Sequence, residues 1–288
     1  MTRKRDKKKL ARSRRASAAG RALRARLTRK EREEILAFTR GLARASGALA
    51  LSYYGRANPT LRFDSVLITE ADLVVQQYIR REVAQAYPDH TFLGEEGDRE
   101  EEVQRDRQRP LWLVDPVDGS ASFCAGMPIW AVSISLFDGG RPVVGVIYLP
   151  VTGELYAAMA GGPAMLNDRV IAVREQSVDD ESLLLTYSRF HSDFRASFPG
   201  KVRSLGSSAA HMAYVARGAA TAALLGNVHV WDIAAGQVIL ESAGGALLDV
   251  GGSRVELDEY LGGEKIDRFL VAAPRGLHRE LSDTLQLL

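Results

Sequence analysis

Asp115-Pro116-Val117-Asp118-Gly119-Ser120 is the stretch whose residue types and spacing could do chemistry. Its two carboxylates follow the apolar run Leu111-Trp112-Leu113-Val114, which reads as a short buried strand. The turn formers Pro116 and Gly119 are expected to stop that strand, and Gly119-Ser120-Ala121-Ser122 can start a helix. The first N–H groups of a helix lack internal acceptors and carry partial positive charge, so they suit a phosphate. Carboxylates beside a phosphate repel it unless hard cations such as Mg²⁺ lie between them. The spacing therefore offers a metal-bridged phosphate site. An Asx-type turn capping a helix would use the same residues.

Two further acidic elements could join it. Gly94-Glu95-Glu96-Gly97 ends a strand expected over 90–93, directly ahead of the strand that leads to Asp115. Glutamates at a strand end are usually solvated and matter only if the fold brings them to the Asp115 turn. Asp232 follows Trp231 at the start of an apolar helix, where it can equally serve as an N-cap.

The elements that must position these groups can be read from periodicity and caps. Thr28 with Glu31 is a capping box, and Ile35, Phe38, Leu42, Ala45 and Leu49 follow at helical spacing to a stop at Gly55. Thr69 with Asp72 is a second capping box, for a helix carrying Leu73, Val74, Tyr78, Ile79 and Val83 inward and ending before Pro88. Residues 58–68 between them read as a loop or hairpin. After the central turn, strands are expected over 129–137, 143–149 and 155–159, with a short one near 170–173. The polar segment 175–182 reads as a boundary. Beyond it, strand and helix alternate: strands over 183–187, 202–205, 219–225, 246–250 and 269–272. Gly206-Ser207-Ser208 opens a helix stopped by Gly218, another spans 233–243, and a last one follows Pro274. The expectation is an α/β protein with halves 28–176 and 177–288 behind a basic extension, 1–27.

Composition narrows the class. With 288 residues, 46% hydrophobic and 26% charged, the chain can bury a full core. Its one cysteine, Cys124, excludes an internal disulfide framework and suits a reducing, cytoplasmic setting. No His/Cys cluster has zinc spacing, and no apolar run reaches membrane-spanning length. The net charge of +2 hides an asymmetry: residues 1–30 hold 14 Lys and Arg against one Asp, leaving the other 258 residues at −11. Such a basic block suits a nucleic acid or another anionic partner, a transit peptide, or a solvated tail.

Taken in order, Gly94-Glu95-Glu96, Asp115-Pro116-Val117-Asp118-Gly119-Ser120, and Trp231-Asp232-Ile233-Ala234-Ala235-Gly236 with Ala243-Gly244-Gly245 resemble the inositol monophosphatase family of Mg²⁺-dependent, lithium-sensitive phosphatases. The resemblance covers everything after the basic arm. It implies a layered α-β-α-β-α sandwich, usually dimeric, with the site between its halves and two or three Mg²⁺ ions. Glu95, Asp115 and the carbonyl of Val117 would ligate one metal, and Asp115, Asp118 and Asp232 a second. Gly119 and Ser120 would present N–H groups to the phosphate, the Ser120 hydroxyl would help orient the attacking water that Glu95 positions, and Ser207 and Asp232 would contact substrate. No phosphoenzyme is expected, because no His, Cys or Asp nucleophile motif is present.

Two departures stand out. Val66 replaces an acid that the family carries three residues before the counterpart of Thr69, with Asp64 nearby as a substitute. Leu225 replaces the glutamate with which inositol-specific members read a sugar hydroxyl. The expected activity is hydrolysis of a small inositol, polyol or sugar phosphate. A nucleotide or sugar bisphosphate is the nearest alternative. An RNA- or transcription-associated role using the basic arm is a third reading.

Overall fold

The computed structural model describes residues 26–56, 60–61, 67–96 and 109–288. The chain opens with α1 (Arg29–Leu51), β1 (Thr60–Leu61), β2 (Leu67–Ile68), α2 (Glu70–Ala86), β3 (Thr91–Gly94), β4 (Leu111–Asp118) and the short α3 (Ser120–Cys124). The strands β5 (Ala131–Asp138), β6 (Arg141–Leu149), β7 (Glu154–Met159), β8 (Met165–Leu166) and β9 (Arg169–Val170) follow. Next come β10 (Leu183–Thr186), α4 (Phe190–Asp193), β11 (Phe194–Ala196), β12 (Lys201–Arg203), α5 (Ser208–Ala216) and β13 (Ala222–Leu225). The chain closes with α6 (Val230–Ser242), β14 (Gly245–Asp249), β15 (Leu270–Pro274), α7 (His278–Asp283) and β16 (Leu285–Leu287).

Both capping boxes form. The Thr28 hydroxyl accepts from the Glu31 N–H while Glu31 reaches back, and Thr69 and Asp72 do the same for α2. The buried face of α2 is Ala71, Val75, Ile79 and Val83, spaced by four; Leu73, expected inward, is exposed. A short antiparallel pairing of β1 with β2 bears out a hairpin there. Val66 and Asp64 lie outside the described residues.

Two main sheets organise the chain. One has the order β3-β4-β5-β6-β7-β8-β9, antiparallel except for the parallel β3–β4 pair. The other has the order β12-β10-β13-β15-β14, with β10 parallel to both its neighbours. Period-two alternation feeds two cores from one strand: on β5, Val132, Ile134 and Leu136 face α1 and α2, while Ala131 and Phe137 face α5 and α6. The far face of the second sheet packs Leu184, Leu224 and Val271 under Leu281 of α7. The resulting layers are α, β, α, β, α, the architecture the resemblance implied. Among the described residues, no helix is long and apolar enough to cross a membrane.

The middle layer depends on α6. Its sequence is apolar nearly all round because both faces are covered, with Trp231, Ile233, Ala234, Ala235, Val238 and Ile239 all buried. It lies close against β6 because Gly145 has no side chain: a Cβ there would stand 2.4 Å from the Ala235 carbonyl oxygen.

Candidate active site

The end of β4 is irregular in a way that makes the site. Asp115 stands opposite Ser133 of β5 and Asp118 opposite Ala131, so three steps on one strand match two on the other. That extra residue is a β-bulge. On a regular strand, side chains three apart point to opposite faces. The bulge turns Asp115 and Asp118 to the same face, toward the middle helical layer, and sends Val117 into the opposite core with Val114 and Trp130. The strand therefore does not stop at Pro116 as its composition suggested. Pro116, with no N–H to give, sits where the ladder is interrupted anyway. The Val117 N–H donates to Asp115 Oδ1 at 3.0 Å, which fixes that carboxylate over its own turn.

Gly119 ends the strand at φ 100°, where a Cβ would also come within 2.9 Å of the Gly206 carbonyl oxygen. Position and conformation both call for glycine. Ser120 begins α3, and its hydroxyl donates to the Val117 carbonyl at 3.2 Å.

The other acids reach this point along separate elements. Parallel pairing sets Gly94 beside Val114, and the Glu95 N–H continues the ladder to the Val114 carbonyl at 3.0 Å, which puts Glu95 next to Asp115. Asp232 sits in the first turn of α6, where Oδ2 accepts the His229 N–H at 2.9 Å. Ser133, the partner of Asp115, donates its hydroxyl to the Trp231 carbonyl at 3.3 Å and so ties the start of α6 to the same strand position.

Asp118 is held from α5. It accepts the Ser207 hydroxyl at 2.5 Å, the Ala209 N–H at 2.6 Å and the Ser208 N–H at 3.3 Å. Ser207, expected at the substrate, is buried and does not line the cavity. It caps α5 by accepting from the Ala210 N–H and spends its proton on Asp118.

Asp72 was legible only as half of a capping box. It is buried, its Oδ2 accepts both the N–H and the hydroxyl of Thr69, and its Oδ1 lies 3.4 Å from the Ser120 hydroxyl. Its carboxylate oxygens and those of Glu95 and Glu96 come within 4.8 Å of one another, close enough to hold a metal ion. Asp72, three positions after Thr69, thus supplies an acid beside Ser120.

Glu95, Asp115, Val117, Asp118, Gly119, Ser120 and Asp232 all line one cavity of about 490 Å³. Burial raises the Asp115 carboxyl well above its ordinary value, and Glu95, Asp118 and Asp232 add to the effect. Burial and the Glu95 and Asp118 charges do the same to Asp232. Asp118 is pushed up to about 6 by burial, against the lowering effect of its three donors. Burial also raises Asp72. Carboxylates this crowded and dry resist ionising unless a cation joins them. An all-oxygen, carboxylate-rich donor set is what Mg²⁺ takes. Leu225, at the end of β13, is buried in the core and lines no part of this cavity.

Comparison with known proteins agrees with this arrangement. The sequence profile of the inositol monophosphatase family matches residues 31–286. The Nus factor SuhB of Xylella fastidiosa is 34% identical over 64% of this chain and 70% of its own length. Human inositol monophosphatase 1 is 31% identical over 78% of this chain and 87% of its own. The solved structure of the Thermotoga maritima IMPase superposes with a TM-score of 0.76 at 27% identity, covering 87% of this chain and 96% of that one. The chain belongs to the inositol monophosphatase family and is a phosphoric monoester hydrolase.

Proposed function

We propose that this chain hydrolyses a small polyol or sugar phosphate monoester with Mg²⁺ as cofactor, by direct attack of water. The observation that carries the reading is the β4 bulge, which turns Asp115 and Asp118 to one face where Glu95 and Asp232 meet them beside Gly119 and Ser120. Glu95, Asp115 and the Val117 carbonyl would hold one Mg²⁺, and Asp115, Asp118 and Asp232 a second; Asp72 and Glu96 leave room for a third beside Glu95. When bound, the ions neutralise a phosphate dianion and lower the pKa of a water. Gly119 and Ser120 present N–H groups at the start of α3 to the phosphate oxygens. The one Ser120 hydroxyl proton is directed to the Val117 carbonyl and Asp72 side, which leaves the Ser120 oxygen to accept a hydrogen bond from the attacking water, while Glu95 orients that water and takes its other proton. No side chain forms a bond to phosphorus, so positioning and electrostatics carry the rate. Leu225 gives no polar contact to an inositol hydroxyl, which favours another polyol or a sugar. We also infer lithium sensitivity, a homodimer and a cytoplasmic setting from the family reading and the single Cys124.

Phosphate release from a panel of inositol, polyol, sugar and nucleotide phosphates tests this, run with Mg²⁺, with EDTA, and with Asp115→Asn. Metal-dependent release that the variant loses is the expected result. No release from any compound by the folded protein sinks the reading.

A role with RNA is a second reading, favoured by the +13 charge of residues 1–30 and by the likeness to a Nus factor. Salt-sensitive RNA binding that vanishes on removing residues 1–25 would support it, and no binding by the full chain would remove it.

A further inference from the structure

The segment that carries Glu95 is held from two sides. On one side the Glu95 N–H continues the β3–β4 ladder to the Val114 carbonyl. On the other side β3 is the edge strand of its sheet, so peptide groups turned away from β4 meet no neighbouring strand. Glu96 is buried, and buried peptide groups need partners. They find them on α2. The Glu96 N–H donates to Gln76 Oε1 at 2.9 Å, and Gln76 Nε2 donates to the Glu96 carbonyl. One carboxamide thus takes both backbone groups of Glu96, as an adjacent strand would. Among side chains of this length only glutamine offers a donor and an acceptor together at neutral pH.

Two further features point to the same contact. Gly94, one residue before Glu95, has no side chain, and a Cβ there would overlap the Gln76 carboxamide. Gln76 also lies four positions after Asp72 on α2, so both rise from one face of that helix. Asp72 reaches the Ser120 hydroxyl, and its carboxylate lies with those of Glu95 and Glu96 within 4.8 Å. Gln76 is buried and neutral beside these three acids. It lines no part of the site cavity, so any effect it has on the reaction passes through the segment it holds.

We infer that Gln76 is a positioning residue: by clasping the backbone of Glu96 it sets where the Glu95 carboxylate points. The inference rests on the phosphatase reading for what Glu95 does there, which is to ligate a metal and orient the attacking water. One face of α2 then serves that water twice, through Asp72 to Ser120 and through Gln76 to Glu95. Gly94 is glycine because the clasp needs the space.

The test separates placement from folding. Gln76→Met keeps the length and bulk of the side chain and removes both hydrogen bonds. At saturating Mg²⁺ it should lower kcat at least about tenfold while KM stays within about twofold, since misplacing a water-orienting group costs the chemical step. Mn²⁺ binding, read from the loss of its free-ion EPR signal, should weaken by roughly ten- to a hundredfold, the usual scale for a group that orients a metal ligand. Gly94→Ala pushes the carboxamide aside without altering it and should move both readouts the same way. It carries the test if Gln76→Met does not fold. The double variant should be little worse than the more damaged single one. Ile79→Val, which trims the buried face of the same helix, is the control: it should lower the melting temperature yet leave kcat and Mn²⁺ binding within about twofold. Parent-like kcat and Mn²⁺ binding in Gln76→Met and Gly94→Ala overturn the inference. So do losses that Ile79→Val reproduces at an equal drop in melting temperature. If the parent releases no phosphate, the phosphatase reading falls and the Mn²⁺ titration alone decides: weakening in Gln76→Met but not in Ile79→Val supports the clasp, and unchanged binding overturns it.

Discussion

Asp118 and Ser207 meet at 2.5 Å across 89 residues of chain, joining the bulged end of β4 to the start of α5. One hydroxyl thereby does two jobs, capping the helix and holding a carboxylate of the site in place. Ser207→Ala removes both. It leaves Asp118 with the Ser208 and Ala209 N–H groups alone and exposes the Ala210 N–H as an unmatched donor. We expect a loss of about 1–3 kcal/mol in unfolding free energy. Groups that orient a metal ligand typically change affinity by roughly ten- to a hundredfold when removed, so the Mg²⁺ concentration for half-maximal activity should rise on that scale. Thermal melts and a Mg²⁺ titration check both. A melting loss with an unchanged titration would show that Ser207 serves the helix only.

Ser120 and Asp72 should act as a unit. Asp72→Asn keeps an acceptor oxygen but loses the charge that orients the Ser120 hydroxyl, and Ser120→Ala loses the hydroxyl itself. Each is expected to lower kcat by roughly a hundredfold or more, within the range for positioned proton transfer. Residues working through one another are not additive, so the double variant should be little worse than the more damaged single one. Multiplicative losses would mean that the two side chains serve separate steps.

Without metal, the protein should be more stable in mild acid than at neutral pH. The ordinary Asp value is 3.8, and in the folded state Asp118 is pushed up to about 6, with Asp115 and Asp232 also raised. The folded state therefore keeps protons that the unfolded chain gives up from about pH 4 upward. Stability falls wherever the native state binds more protons, here as pH rises from about 4 through about 6. Denaturant melts in EDTA at pH 5 and pH 7.5 should show the loss. Mg²⁺ should restore stability at pH 7.5 and do less at pH 5, where protons compete for the same oxygens. A flat EDTA profile would mean that these carboxylates are not crowded in the metal-free protein.

The basic extension and the site should be separable. The Leu27 N–H donates to Asp138 at the far end of β5, whereas Ala131, at the near end, pairs with Asp118. Seven strand steps between them span about 23 Å. Removing residues 1–25 should leave kcat and KM within about twofold while abolishing any salt-sensitive RNA binding. A large change in kcat would place the extension at the site instead.

The α/β elements were readable because their signals are local and periodic, as in the two capping boxes and the alternating strands, whereas their stacking into five layers was legible only through the resemblance to the family. The carboxylates of the site were readable because their residue types are unusual beside buried strands. Three features were not readable. The bulge at Pro116 depends on how β4 registers with β5, a pairing that the Asp115 segment does not encode by itself. Asp72 in a capping box has the same local sequence whether or not Ser120 stands behind it. Arg189 and Lys265 lie 76 positions apart in polar loops, and only the second sheet brings them to the site cavity.

A last prediction follows the path from packing to chemistry. Gly145 admits the backbone of α6, since a Cβ there would stand 2.4 Å from the Ala235 oxygen and 2.9 Å from its Cα. Backbone atoms cannot swing aside as a side-chain tip can, so Gly145→Ala must push the helix away from β6. Overpacking of this kind costs about 1–3 kcal/mol. Asp232 rides on the first turn of the same helix, so the shift should also weaken metal binding, although residue 145 touches no part of the cavity. Gly41→Ala is the control: it lies exposed within α1 with nothing near its added Cβ, and should gain roughly 0.5–1 kcal/mol without altering the Mg²⁺ titration. If Gly145→Ala lowers the melting temperature yet titrates with Mg²⁺ like the parent, Asp232 is placed by its bond to the His229 N–H and by Ser133 rather than by the depth of α6.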